Sequence, residues 1–228
     1  MSFFRAAWLV AAKDLRVELR AREVVVAMAF FAALVVLLFA FAFIKEGRTT
    51  PDAAAGILWI TIALSGTLGL GRAFDREREG DTLSALLLAP VPRAAIYLGK
   101  LLGILTFMAL AELFATPLVA LLFDAPLFQF PGRIAILLAL GTLGFASVGT
   151  LFAGMLARSR GRHVLLGILL YPIIVPVLIA GARGTQALLA LPTPDLDGMW
   201  LWAKILGLFD TVFLILALWT FEPLMTSD

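Results

Sequence analysis

The chain has 228 residues, 62% apolar and 15% charged, with a mean hydropathy of +1.02. A soluble domain is roughly half apolar and a quarter charged, so this is an integral membrane protein. No cysteine and a single histidine exclude disulfides, thiolate nucleophiles, Cys-ligated metals and multi-His metal sites within one chain.

Residues 3–22 read as an amphipathic helix. Phe4, Trp8, Ala11, Ala12, Leu15 and Leu19 fall on one stripe, and Arg5, Lys13, Arg16 and Arg20 on another. That pattern suits a helix lying in the membrane interface, basic face toward the headgroups. The apolar run 24–44 follows. Ala40-Phe41-Ala42 imitates a signal-peptide cleavage site, but 21 residues span a ~30 Å core and exceed a signal h-region, so a membrane span is expected. Further spans are expected at 53–71, 94–123, 134–157, 163–182 and 200–221. Segment 183–199, with Pro192, Pro194, Asp195 and Asp197, reads as a loop. The whole chain, 1–228, is read as a single all-α transmembrane domain with six spans.

Lys and Arg set the orientation. With the N-terminus inside, the inner side holds Arg5, Lys13, Arg16, Arg20, Arg22, Arg72, Arg76, Arg78, Arg93, Lys100, Arg158, Arg160 and Arg162, thirteen in all. The outer side holds Lys45, Arg48, Arg133, Arg183 and Lys204, five in all. Both termini and the loop 72–93 are therefore expected in the cytoplasm.

That loop, RAFDREREGDTLSALLLAPVPR, organises the chain. Its first half is charged. Its second half, 81–89, reads as a short helix that Asp81 or Thr82 can cap and Pro90 stops. Leu83, Leu86 and Leu87 share one face. Two helical turns do not persist alone in water, and the leucines need cover. The helix is either a knob for a groove on another protein or an interfacial helix on lipid headgroups.

Glu112 and Asp210 lie at membrane depth in the third and sixth spans. A carboxylate there costs roughly 2.5–3.5 kcal/mol on insertion scales, so each must be neutral, paired or facing a polar cavity. Either they form a translocation or gating surface, or they are hydrogen-bonded inside the bundle. Pro117, Pro172 and Pro176 sit inside spans and are expected to kink or unwind them, as a hinge or a packing accommodation. Ser65 with Gly69, and Ala146, Thr150 and Gly154, repeat small residues every fourth position, which allows close helix packing. The turn RSRGRH at 158–163 fits charge topology or contact with anionic lipid, and its His163 reads as interfacial rather than a haem or metal ligand. The signatures GxxxxGK[ST], HExxH and GxSxG are absent, so no catalytic residue is assigned.

Several stretches together are similar to the haem exporter protein B (CcmB) family. They are GILWI at 56–60, FDREREGDTLSALLLAPVP at 74–92, LGK at 98–100, GTLGFASVGTLFAG at 141–154 and RGRHVLLGILLYPIIVPVLI at 160–179. Gly80-Asp81-Thr82 departs from the family's more usual Asp-Gly before Thr or Ser, but the cap stays. The resemblance implies the membrane subunit of an ABC-type (ABC-2/type V-like) system for cytochrome c maturation in the bacterial inner membrane. It implies a homodimer with a separate cytoplasmic CcmA-like ATPase, which would carry the ATP. CcmC- and CcmD-like membrane proteins would be further partners, as would the haem-loaded periplasmic chaperone, CcmE-like. The subunit would be non-catalytic and bind no cofactor directly, with haem handled by the complex and membrane lipids around it; no nucleic acid is implied. The ATPase would bind Asp75, Arg76, Glu77, Arg78, Asp81, Thr82, Leu83, Leu86 and Leu87. The competing expectation is a stand-alone secondary transporter using Glu112 and Asp210.

Overall fold

The computed structural model describes residues 2–45, 48–49, 53–79, 92–156, 159, 161–190 and 193–224. Helix α1 is Phe3–Ala21 and α2 is Glu23–Ala42. A two-residue antiparallel pairing of β1 (Ile44–Lys45) with β2 (Arg48–Thr49) follows. Helices α3 (Ala54–Glu79), α4 (Arg93–Leu122), α5 (Pro131–Met155), α6 (Arg162–Leu188) and α7 (Leu196–Leu224) complete the chain, with a 3-10 turn at Leu127–Gln129. Six of these helices, α2 to α7, are long and apolar enough to cross a membrane. Apart from the β1–β2 pairing, the described residues are all-α.

Several ends differ from the sequence reading. The second span falls where expected, at Ala54–Arg72, but its helix, α3, runs on through the charged residues to Glu79. Arg, Glu and Ala there are good helix formers, and Gly80 is the first breaker. The loop expected over 183–199 is mostly helix. α6 reaches Leu188, and α7 begins at Leu196, where Asp195 Oδ1 accepts the Gly198 N–H at 2.8 Å. The turn before α6 uses Gly161 at φ 73°, a left-handed conformation that glycine adopts without strain. Both α4 and α6 continue unbroken through Pro117 and through Pro172 and Pro176, so the helices are not unwound there.

α1 lies against α4 rather than apart from the bundle. Its small residues Ala6, Ala7, Val10 and Ala11 are buried, and Gly99 of α4 lets the backbones approach: a Cβ there would stand 2.6 Å from Ala7 O. Phe4 and Trp8 point outward, 75% and 64% exposed, so the single apolar stripe read from the sequence is divided between protein and surroundings. Asp14 pairs with buried Lys100 of α4 at 2.6 Å. Arg22, at φ 56°, closes α1 and opens α2, and Glu18 Oε1 accepts the Val25 N–H at 2.9 Å.

The core is built on α3, α4 and α5. α3 packs on α2, α4, α5 and α6, while α5 also meets α4 and α7. Trp59 of α3 is the pin of this arrangement. Its indole lies against Gly141 of α5 and Gly181 of α6, where a Cβ at either glycine would collide with the ring. Trp59 Nε1 donates to Thr185 Oγ1 at 3.0 Å, so the buried indole is satisfied. Gly149 of α5 receives Leu70, and Gly66 of α3 receives Met108 and Phe145. Ser65, Gly69, Ala146, Thr150 and Gly154 are buried, as close packing requires.

Candidate functional site

Two regions carry the residues singled out from sequence. The first is the junction between α3 and α4. Asp75, Arg76, Glu77 and Arg78 lie on the last turns of α3. Asp81, Thr82, Leu83, Leu86 and Leu87 fall outside the described residues. Pro92 precedes α4, so the segment between Glu79 and Pro92 is tied at both ends to helices that pack on each other.

The second region is the middle of α5. Glu112 of α4 is buried, and Thr142 Oγ1 of α5 donates a hydrogen bond to its Oε1. Asp210 of α7 is only 3% exposed and sits against Gly144 of α5, where a Cβ would stand 2.7 Å from Oδ1. Among the described residues neither carboxylate oxygen of Asp210 has a hydrogen-bond partner. Thr142 and Gly144 are two residues apart, about 200° around the helix and about 3 Å along it. The two acids therefore flank α5 on opposite sides at nearly one depth.

Glu112 also lines a groove of about 580 Å³ between α4 and α5. Thr116, Pro117 and Thr142 share it with apolar side chains, including exposed Leu113 and Phe128. Thr116 Oγ1 is buried without a partner among the described residues. Carboxyl and hydroxyl groups in an otherwise apolar wall can bind a polar atom, but hold no nucleophile–base pair. No grouping of three His, Cys, Asp or Glu suited to a metal occurs among the described residues.

Sequence reasoning named both acids but not their surroundings. It also missed the Asp14–Lys100 pair, the Trp59–Thr185 bond, and Tyr97, whose hydroxyl donates to Ser147 O at 3.0 Å. A lysine eight residues into α4 was the one available signal.

A family model described as CcmB protein matches residues 5–223. Heme exporter protein B of Pseudomonas aeruginosa is 31% identical over 173 residues, 75% of this chain and 76% of that protein. The protein of the same name from Paracoccus denitrificans is 34% identical, over 76% of this chain and 79% of that one. The Rhodobacter capsulatus protein of that name is 32% identical, over 82% and 88%. With a match along nearly its whole length, this chain belongs to the CcmB family.

Proposed function

We propose that the chain is the transmembrane subunit of an ABC-type complex that handles haem in cytochrome c maturation. The observation that carries this reading is the CcmB match over residues 5–223, joined to relatives named heme exporter protein B. The motor is a separate CcmA-like ATPase, in keeping with the lack of a phosphate-loop signature in this chain. CcmC- and CcmD-like proteins and a CcmE-like chaperone complete the assembly around a dimer of this subunit. ATP hydrolysis drives release of the haem-loaded chaperone. Residues 1–228 act as one membrane unit in a bacterial inner membrane, with both termini in the cytoplasm, as the thirteen-to-five charge asymmetry requires.

Coupling runs through the segment between α3 and α4. The leucines 83, 86 and 87 fill a groove on the ATPase, and Asp75, Arg76, Glu77 and Arg78 form its rim. α3 carries any displacement from Glu79 directly into the core around Trp59. Buried apolar anchors dominate such docking, and rim charges contribute little. Leu86→Asp and Leu87→Asp should each abolish co-purification of the ATPase, whereas Arg76→Ala should weaken it mildly and in a salt-dependent way. Two leucine variants that insert normally and retain the ATPase at wild-type yield would move the docking site elsewhere.

A further inference from the structure

Apart from the groove that Glu112 lines, α2 and α6 both pack on α3 but make little contact with each other. A cavity of about 470 Å³ lies between them. Its size is that of a small-molecule or lipid site, about 300–1,000 Å³. Leu64, Thr67, Leu68 and Gly71 recur at i, i+3, i+4 and i+7, so one face of α3 forms the wall. Phe31 closes it from α2 and Tyr171 from α6.

The cavity is graded from apolar to charged. Arg72 stands at its end, one turn beyond Leu68, exposed and without an ion-pair partner among the described residues. Deeper in, Thr67 Oγ1 and the Tyr171 hydroxyl lie 3.2 Å apart. Thr67 already donates to Ala63 O at 2.8 Å, so Tyr171 is the donor in their contact, and its proton reaches a ligand by exchanging Thr67 Oγ1 for it. From Thr67 to Arg72 the helix rises about 7 Å. A cation, then a hydroxyl donor, then an apolar shaft match a phosphate, an ester carbonyl and an acyl chain in order.

We propose that this cavity is a binding site for one anionic phospholipid. Its phosphate rests on the Arg72 guanidinium, an ester carbonyl accepts from Tyr171, and one chain runs along Phe31, Leu64 and Leu68. Basic pockets between transmembrane helices on the cytoplasmic side suit such headgroups. The leaflet follows from the orientation proposed above, but the binding itself does not depend on it.

The test is native mass spectrometry of the purified full chain in detergent micelles doped with phosphatidylglycerol or phosphatidylcholine. Wild type should keep one phosphatidylglycerol through dilution and hold phosphatidylcholine about tenfold less, because the choline cation offsets the phosphate charge that Arg72 faces. Arg72→Gln should lower phosphatidylglycerol retention to the phosphatidylcholine level. Arg72→Lys should weaken it by less than about threefold, because the charge remains. Arg133→Gln, on a half-buried arginine stacked on Phe130, should change nothing. Leu68→Trp should reduce retention of both lipids by filling the shaft. Equal retention of the two lipids by wild type, or an effect of Arg133→Gln matching that of Arg72→Gln, would overturn the proposal. So would displacement of the lipid by inorganic phosphate, since the site would then read phosphate alone. Should Arg72→Gln not purify as a folded protein, Tyr171→Phe is decisive: undiminished phosphatidylglycerol retention there counts against the site, and a selective fall supports it.

Discussion

Gly141→Ala should destabilise the bundle by about 2–4 kcal/mol, because the new methyl group would enter the space of the Trp59 ring. Overpacking a dense core costs about 1–3 kcal/mol. Trp59 is less than 2% exposed and has Gly181 on another side, so the ring has no room to withdraw. Any rotation also strains its bond to Thr185, worth about 0.5–1.5 kcal/mol. Reversible unfolding of the purified protein in mixed micelles, titrated with a denaturing detergent and followed by circular dichroism, measures the change. A loss of 2 kcal/mol is about a thirtyfold shift in the equilibrium. The decisive arm is a double-mutant cycle. In a Trp59→Leu background the methyl group meets a cavity, and Gly141→Ala should cost less than about 1 kcal/mol or turn favourable. If it costs the same in both backgrounds, Trp59 is not what Gly141 accommodates, and the packing argument fails.

Reporters fused after Arg78, Arg160 and Asp228 should be cytoplasmic, and those after Arg48 and Pro194 external; an external reporter at Arg78 would reverse the orientation and put leucines 83, 86 and 87 in the wrong compartment for an ATPase. Glu112→Gln should leave the protein assembled by size-exclusion chromatography, since the amide oxygen can still accept from Thr142, whereas Thr142→Val should cost about 1–3 kcal/mol by removing the donor. If Glu112→Gln and Asp210→Asn both assemble and leave cytochrome c maturation unchanged, neither charge serves transport, and both acids are structural. Asp14→Ala should loosen α1 from α4, seen as faster tryptic cleavage at Arg16 and Arg20; an unchanged digest would mean that the alanine packing alone holds α1.

The six spans were legible because each is a long apolar run, a property local to the sequence. Their ends were less so, because charge and proline look like loop signals even where the backbone stays helical. Arg72 to Glu79 continue α3, and Arg183 to Leu188 continue α6. The amphipathic α1 was legible as a pattern, but which face meets protein was not. Its alanines are weakly apolar, and only the approach of Gly99 shows that they are the contact. Glu112 and Asp210 announced themselves as carboxylates in apolar runs. Their surroundings did not, because Thr142 is 30 residues from Glu112, and Gly144 meets Asp210 across another helix. Such pairings depend on how helices cross, which no local pattern records.

α1 and α2 share a single residue, for Arg22 is the last cap of one and the first cap of the other. No slack linker separates them. The elbow is set by one pair of backbone dihedrals and braced by the Glu18–Val25 hydrogen bond. A tilt of the first span must therefore swing α1, as a lever swings with its axle. Partway along that lever, Asp14 grips Lys100 on α4. The first and third spans are thus mechanically in series through a helix that is not itself one of the six spans.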